Sequence, residues 1–215
     1  MKLTDELFEC VRDSWEAALC KPFVRQMADG SLDPARYRNY MIMDYQYLQG
    51  YIRLLEKTLK LTEDTEVSSF LRSAVNSSYD ELNRVHIPCL LNLGVTGEEL
   101  SEAKLFPVSA EYIHYMEEQL DTGGAVYGLT ALLQCSWAYA YIGERMNGKV
   151  DNDSPYRDWF DSYACEEYIN ENSKWIDIAD KLSSGINERE REALCDIFVR
   201  CAEYENRLWD EVYEI

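Results

Sequence analysis

Two acidic residues occupy helical positions where the surrounding pattern predicts apolar side chains. Glu205 near the C-terminus and Asp44 near the N-terminus each lie within a stripe of apolar residues spaced three and four apart. The two stripes consist of Leu194, Phe198, Cys201, Leu208 and Val212, and of Met41, Leu48, Tyr51 and Leu55. A carboxylate inside a helix bundle is costly unless it is paired, hydrogen-bonded or protonated. The two residues therefore predict a polar pocket in a helical core, where carboxyl groups with shifted pKa values carry out acid–base chemistry.

A cysteine near the middle of the longest uncharged run is a candidate nucleophile. Cys135 lies within the run Thr122 to Gly143, between Gln134 and Ser136, and Tyr139 follows one helical turn later. A buried cysteine is most often inert packing, but a thiolate with polar neighbours is a strong nucleophile. Sequence spacing leaves open whether the helix of Cys135 meets the helices of the two carboxylates.

The 16 tyrosines have two interpretations. A buried tyrosine can serve as core packing, because its hydroxyl needs only one hydrogen-bond partner. Alternatively, several tyrosines can line an aromatic pocket for a flat heterocycle, with hydroxyls and carboxylates binding its ring nitrogens. The candidates are Tyr37, Tyr40, Tyr47 and Tyr51 on the helix of Asp44, Tyr112 and Tyr115 on another helix, Tyr139 and Tyr141 on the uncharged helix, and Tyr163.

Signatures of metal and cofactor binding are weak or missing in the sequence. Glu111 and His114 match the Glu-x-x-His motif once, whereas di-iron bundles need it twice together with two further carboxylates. The other histidine, His86, has Asn83 at the required offset and fails the match. The HExxH, Cys-rich zinc, EF-hand, GxGxxG, P-loop and GxSxG motifs are absent. We therefore predict neither a metal site nor a cofactor.

Charge and cysteine content narrow the class of protein. A net charge of −19 argues against binding to nucleic acid or an anionic membrane, since the surface would repel phosphates. The seven cysteines are odd in number and lack CxxC spacing, and the first residues become charged too early for a signal peptide. These features predict free thiols in the cytoplasm. The run Thr122 to Gly143 is long enough to span a bilayer, but it contains Gln134 and Gly123-Gly124, so we interpret it as a helix buried on all sides.

The elements that must position these residues are all predicted to be helices, in a single domain spanning residues 1–215. Gly and Pro are sparse, at 10 and 5, and hydrophobic residues make up 47% of the chain. Asp33-Pro34, Thr96 to Glu99 and Asn187 to Glu190 are helix-start signals, and Asp121 to Gly124 is a break. The predicted helices cover about residues 3–19, 34–61, 64–94, a short stretch after 97, 107–121, 124–146, a segment that begins at Ser154-Pro155, and the region from 187 onward. The predicted fold class is an all-α, compact helical bundle.

Three groups of residues, in this order, resemble the TenA family of thiaminase II, or aminopyrimidine aminohydrolase, enzymes. The first comprises Lys21-Pro22-Phe23-Val24, Asp29-Gly30-Ser31-Leu32, and Tyr40 with Asp44-Tyr45-Gln46-Tyr47-Leu48. The second, Leu132 to Tyr139 with Gly143-Glu144, resembles the nucleophile helix of that family. The third, Tyr204-Glu205 with Leu208-Trp209, resembles its C-terminal acid motif. Together the groups span nearly the whole chain, and Cys135 is similar to the cysteine that marks the Cys-type branch.

The resemblance implies a haem-oxygenase-like fold, often assembled as a homotetramer. It implies hydrolysis at the methylene carbon on C5 of a 4-amino-2-methylpyrimidine. The usual substrate is the aminomethylpyrimidine of degraded thiamin, with thiamin itself as a slower one. The products are hydroxymethylpyrimidine plus ammonia or the thiazole. The expected partner is thus a small aminopyrimidine or thiamin.

The resemblance also implies roles for individual residues. Cys135 would be the nucleophile, and Glu205 would be the general acid/base that protonates the leaving amine or the ring. Asp44 would bind the amino group and a ring nitrogen of the pyrimidine, and Tyr47 would assist activation of the thiol. The residues expected to line the substrate site are Tyr139, Tyr163 and Tyr112.

The chain departs from the family pattern at three places. These are Lys21, Ala164-Cys165-Glu166 and Leu208. The last two lie beside the expected pocket and therefore bear on the choice of pyrimidine.

Two other functions fit the same fold. One is an oxidative enzyme, either cofactor-free like the pyrroloquinoline-quinone synthases or di-iron, and the single Glu-x-x-His motif counts against the iron version. The other is a non-catalytic member that binds a ligand or acts as a regulator. The joint presence of Cys135, Asp44 and Glu205 favours the hydrolase over both.

Overall fold

A computed structural model describes residues 2–215, and its secondary structure is helical throughout. The helices are α1 (Leu3–Ala18), α2 (Pro22–Asp29), α3 (Pro34–Lys60), α4 (Thr65–Glu81), a π-helical turn (Leu82–His86), α5 (Ile87–Asn92), α6 (Gly97–Glu102), α7 (Pro107–Met146), α8 (Arg157–Ala164), α9 (Glu166–Leu182) and α10 (Glu188–Glu214). No strand occurs in this described range, so the predicted all-α class is confirmed.

The helices form two compact units, and one of them consists of two separate stretches of the chain. The terminal unit comprises the chain up to Leu32 together with Leu129–Glu214, and so contains α1, α2, the second part of α7, and α8 to α10. The central unit comprises Asp33–Gly128 with Ile215, and contains α3 to α6 and the first part of α7.

An aromatic cluster forms the core of the terminal unit. The rings of Trp15 on α1 and Trp137 on α7 meet edge to face with centroids 5.4 Å apart, and Trp137 contacts Phe198 on α10 at 6.0 Å. Buried aromatic side chains contribute large apolar areas and prefer such edge-to-face geometry. The cluster therefore fixes the second part of α7 against α1 and α10.

In the central unit, α3 and the first part of α7 approach each other closely at Gly50. A Cβ atom at this position would lie 2.8 Å from Cδ1 of Ile113, so a larger residue here would force the Ile113 side chain to shift. Two turns beyond the glycine, Lys57 forms ion pairs with Glu117 at 3.1 Å and Asp121 at 2.5 Å. The two contacts hold the helix faces that carry the tyrosines of this unit in a fixed register.

The predicted start signals work as their chemistry requires. The Asp33 side chain accepts a hydrogen bond from the Ala35 amide at 2.9 Å, and Pro34 begins α3. At the start of α10, the Glu190 amide donates to Asn187 Oδ1 at 3.0 Å, and the Asn187 amide donates to Glu190 Oε2 at 2.9 Å. This reciprocal pair is the predicted capping box.

The predicted break within the long α7 is confirmed at Gly124. This residue has φ 67° and ψ −155°, a conformation outside the helical region that glycine adopts readily. After it, residues 128–134 are all buried, whereas Thr122 is exposed and residues 135–137 are half-buried. The uncharged run is thus buried over most of its length. None of the helices described within residues 2–215 is both long and apolar enough to cross a membrane.

Three boundaries differ from the sequence prediction. The segment Pro22–Asp29 forms a separate helix, α2, in a stretch for which we predicted no helix. The stretch predicted as one helix over 64–94 is divided by the π-helical turn at Leu82–His86. The helix expected to begin at Ser154-Pro155 begins at Arg157, because the Ser154 hydroxyl donates to the Met27 carbonyl and accepts from the Tyr156 amide, which ties this loop down.

Candidate active site

Asp44 lies on the buried face of α3 and is paired with a histidine. His86 Nε2–H donates to Asp44 Oδ2 over 2.7 Å. Burial of the ring opposes protonation, but the hydrogen bond and charge of Asp44, together with nearby Glu81, outweigh it and raise the pKa of His86 to about 9. At neutral pH the pair is therefore an imidazolium–carboxylate ion pair inside the protein.

The π-helical turn brings His86 to this position. Pro88 at the start of α5 lacks an amide hydrogen, so a regular α-helical bond from that residue cannot form. The chain instead widens over Leu82–His86, and the Ile87 amide donates to the Leu82 carbonyl five residues back. Leu82 and His86 both become buried. Short π-helical segments occur preferentially at functional sites.

Tyr47 and Tyr112 form an aromatic wall in the same unit. Their rings stack with centroids 5.6 Å apart and an angle of 29° between the planes, and both side chains are buried. Tyr47 follows Asp44 by three residues on α3, so the carboxylate and the stacked rings share one helix face. An aromatic surface and a hydrogen-bond acceptor thus lie side by side. Binding of a flat heterocycle that carries N–H groups requires this combination.

In the terminal unit, the segment of α7 that carries Cys135 packs against the segment of α10 that carries Glu205. Cys135 is half-buried, and the Glu205 side chain is buried. Trp137 contacts Phe198 at 6.0 Å, and Tyr139 contacts Trp209 at 5.8 Å between ring centroids. These two contacts lie on either side of Glu205 along α10.

Tyr139 and Tyr163, which are both predicted to line the substrate site, contact each other. Their rings contact edge to face at 4.9 Å. Gly143, one turn after Tyr139 on α7, makes this arrangement possible, because a Cβ atom there would lie 2.6 Å from the carbonyl carbon of Tyr163. The backbone of α8 therefore rests directly on α7.

The residues that depart from the expected pattern have defined surroundings. Lys21 Nζ pairs with Asp210 Oδ2 at 2.6 Å, which joins the start of α2 to α10. Leu208 is buried. Cys165 is half-buried and its Sγ donates to the Ser162 carbonyl at the end of α8. Lys21 thus helps to attach α10 to α2, and Cys165 contributes a hydrogen bond at the end of α8.

Comparison with known proteins places this geometry in a family. The sequence profile of the TENA/THI-4/PQQC family matches residues 10–215. The chain belongs to the TENA/THI-4/PQQC family.

Individual members of the TENA/THI-4/PQQC family support the placement. The chain is 31% identical to the aminopyrimidine aminohydrolase of Halalkalibacterium halodurans, in a match that covers 99% of this chain and 96% of the relative. It superposes on a TenA homologue from P. horikoshii OT3 with a TM-score of 0.88 and 28% identity, covering 100% and 99% of the two chains. A domain with a heme oxygenase-like fold from Shewanella denitrificans superposes with a TM-score of 0.69 at 18% identity, covering 100% and 93%. The predicted haem-oxygenase-like fold is confirmed.

The Glu-x-x-His motif that di-iron proteins use lies on the surface in this family member. The His114 side chain is 71% exposed and pairs with Glu118 at 3.3 Å, and Glu111 is also exposed. Within the described residues, no three Cys, His, Asp or Glu side chains are grouped so that they could hold a metal ion.

His86 is the candidate residue that sequence reasoning missed, since we considered it only as a metal ligand. The signal that identified Asp44 was nevertheless present for it. Leu82, His86 and Leu90 form a stripe with spacings of four residues, and all three side chains are buried. A histidine in one buried stripe is a natural partner for an aspartate in another.

Proposed function

We propose that the protein is an aminopyrimidine aminohydrolase of thiamin salvage. Its substrate would be 4-amino-5-aminomethyl-2-methylpyrimidine, with thiamin as a slower one. The family membership and the relatives named for this activity support the proposal. The structural observation that carries it is the packing of the Cys135 segment of α7 on the Glu205 segment of α10, because a thiol nucleophile and a carboxyl acid/base then lie on packed helices.

The proposed reaction exchanges an amine for water at the methylene carbon. The Cys135 thiolate adds to the pyrimidine ring, and the C–N bond breaks as Glu205 gives its proton to the leaving amine. Water then adds to the methylene carbon, its proton returns to Glu205, and the bond between sulfur and ring breaks. The balance is aminomethylpyrimidine plus water to hydroxymethylpyrimidine plus ammonia. Covalent addition divides one difficult displacement into easier steps.

The remaining residues would bind and orient the ring. Asp44 would accept a hydrogen bond from the 4-amino group, and the stacked pair Tyr47 and Tyr112 would cover a ring face. Tyr47 would also assist activation of the thiol. Tyr139 and Tyr163 would line the site, supported by their edge-to-face contact.

The test is ammonia release from the aminomethylpyrimidine, with thiamin as a parallel substrate. Cys135→Ala is expected to abolish release while the helical circular dichroism spectrum is retained. Cys89→Ala is a matched control, since Cys89 is also half-buried but lies on α5 of the central unit, and it should keep wild-type rates. Release that persists in Cys135→Ala, or its absence with both substrates in the wild type, would contradict the proposal.

We also propose that the whole chain, residues 1–215, acts as one domain in a cytoplasmic homo-oligomer, a tetramer by family resemblance. The seven cysteines, all free thiols in the structure, support a reducing compartment. Light scattering on the purified protein should give four times the chain mass of 25.1 kDa, and a value equal to one chain mass would refute the tetramer.

A further inference from the structure

The ion pair between His86 and Asp44 shows an asymmetry that assigns different roles to its two members. The side chain of His86 is 3% exposed, whereas that of Asp44 is 12% exposed. The imidazole is therefore the less accessible of the two groups, on a turn that packs against α3 and α4. A ligand entering the central unit would touch Asp44 first.

Stability alone is a weak reason for such a pair. Buried ion pairs carry a desolvation cost that often cancels their attraction, and apolar replacements of the same volume are frequently no less stable. The chain also departs from regular α-helix over Leu82–His86 at the point where the histidine turns inward. A distortion that serves one buried contact favours a role in binding over a role in packing.

We propose that His86 is a positioning residue that fixes Asp44 as an oriented carboxylate and so determines recognition of the 4-amino group of the pyrimidine. This inference rests on the proposed function. The bond from His86 occupies Oδ2 and leaves Oδ1 to accept a hydrogen bond from a ligand. A carboxylate can only accept, so it favours an exocyclic amine and repels the oxygen of a 4-oxo ring. A site built on such a bond rejects analogues that lack the donor much more strongly than an apolar pocket could.

The charges around His86 agree with this assignment. Asp44 on α3 and Glu81 on α4 are the carboxylates that act on the ring, and both favour its cationic form. The bond from the cationic ring to Oδ2 in turn holds the Asp44 carboxylate in one orientation. Recognition of the 4-amino group thus depends on His86, a residue that the ligand itself does not contact.

The experiment compares His86→Leu and His86→Gln with the control His114→Leu. His114 is the other histidine and its side chain is exposed, so its replacement should change nothing. Binding of 4-amino-2-methylpyrimidine and of its 4-oxo analogue is measured by calorimetry, and KM and kcat by ammonia release. We expect His86→Leu to weaken binding of the amino compound and raise KM by about tenfold or more, with a smaller change in kcat. Binding of the oxo compound should stay as weak as before.

His86→Gln keeps an N–H donor without the charge, so it should recover part of the lost affinity. A merely structural role predicts a lower melting temperature with unchanged KM, or equal losses for the amino and oxo compounds, and either result would overturn the proposal. If the wild type releases no ammonia but binds the amino compound through His86, the proposed function fails while this inference stands. If the wild type binds neither compound, the inference falls as well.

A second and independent observation concerns two cysteines in the terminal unit. Cys10 on α1 and Cys195 on α10 place their sulfur atoms 3.1 Å apart. Cys10 is exposed and Cys195 is half-buried, so an oxidant can reach the pair. Four acidic residues and one arginine line the surrounding groove, namely Glu6, Glu188, Glu192, Asp196 and Arg191.

We infer that Cys10 and Cys195 form an oxidisable dithiol, an oxidative modification site that takes a small cationic disulfide as its oxidant. Cys10 attacks the small disulfide and releases one of its thiols, and Cys195 then displaces the second thiol to form the internal bond. The two protein thiols lose two protons and two electrons, which the small disulfide takes up. Burial, Cys10 and the neighbouring acids raise the pKa of Cys195 to about 12, so the second step is slow at neutral pH.

The acidic groove makes the choice of oxidant the sharpest test. Cystamine is cationic and glutathione disulfide is anionic, so cystamine should react faster by about tenfold or more. Intact-mass analysis should show the loss of two hydrogens, and peptide mapping should join Cys10 to Cys195. Cys195→Ser should instead retain a mixed disulfide on Cys10, while Cys20→Ser, which removes another exposed thiol, should react like the wild type. A wild-type Cys10 adduct that still fails to convert into the internal disulfide when the pH is raised, or faster reaction with glutathione disulfide, would overturn the inference.

Discussion

The polar centres of the two units hold their carboxylates in different ways. In the central unit, Asp44 faces a cationic histidine at 2.7 Å, within a helical framework that distorts to supply it. In the terminal unit, Glu205 lies between the aromatic contacts Trp137–Phe198 and Tyr139–Trp209. A histidine fixes the orientation of the first carboxylate, whereas aromatic side chains flank the second along its helix. These settings agree with the proposed roles, in which Asp44 serves for binding and Glu205 for proton transfer.

The largest effect on the kinetics should come from replacing the carboxyl groups of Glu205 and Asp44 one at a time. Glu205→Gln is expected to lower kcat of ammonia release by about a thousandfold and to leave binding of the substrate nearly unchanged, since general acid–base catalysis contributes about this factor. Asp44→Asn should mainly raise KM. Steady-state kinetics with the aminomethylpyrimidine check both, and a rise in KM for Glu205→Gln without loss of kcat would reverse the assignment.

The pH dependence of stability should isolate the ion pair of the central unit. The pKa of His86 is raised from the ordinary 6.5 to about 9, so its stabilising contribution is fully present below pH 6.5 and is lost as the pH rises through 9. The expected loss of unfolding free energy is roughly 3 kcal/mol. Urea unfolding at pH 6 and pH 9.5 measures it as the difference between wild type and His86→Gln.

His114→Gln serves as the control for that measurement, because it removes a titratable histidine from the surface. Its unfolding free energy should follow the wild type at both pH values. An equal pH dependence in His86→Gln and wild type would show that the buried pair does not titrate in this range.

A smaller effect is expected from filling the space between α7 and α8. Gly143→Ala would place a Cβ atom 2.6 Å from the Tyr163 carbonyl carbon, so the backbone of Tyr163 must move. Because Tyr163 is proposed to line the substrate site, such a shift should lower kcat/KM by about ten- to a hundredfold. Gly97→Ala is the control, since a Cβ atom there meets nothing within 4 Å. Unchanged kinetics in Gly143→Ala would remove Tyr163 from the site.

The smallest effect should follow from Lys21→Met. The Lys21–Asp210 pair is 2.6 Å long, but the Asp210 side chain is 52% exposed and solvent screens the attraction. The loss of stability should therefore be about 1 kcal/mol or less, with no change in kcat or KM. Thermal unfolding measures it, and Asp210→Asn should give a similar shift. A large kinetic effect would instead tie this departure from the family pattern to catalysis.

The parts of the fold that were predicted correctly depend on local chemistry. Asp33-Pro34 and the Asn187–Glu190 box act through hydrogen bonds within four residues, and Gly124 acts through its own backbone freedom. The predicted start of α8 was wrong because Ser154 forms a hydrogen bond with Met27, which is far away in sequence. The residues next to Ser154 do not indicate such a contact.

The candidate site shows the same division. The position of Asp44 in an apolar stripe predicted that it would need a partner, and its burial confirms the stripe. The identity of the partner required packing of a helix 42 residues away, together with a π-helical turn that helical periodicity does not describe. The roles of Cys135 and Glu205 stay predictions that the kinetic experiments above address.

The π-helical turn at Leu82–His86 has a consequence for comparing sequences across the family. Such a turn holds one residue more than regular α-helix can, so deleting a single residue there would restore the α-helical path. The turn thus absorbs one residue without rotating the helices on either side, whereas an extra residue in a regular α-helix would rotate the following side chains by about 100°. In a comparison of related sequences, a one-residue gap at this position would therefore mark the loss of the widened turn that carries His86, and not a change of register in the flanking helices.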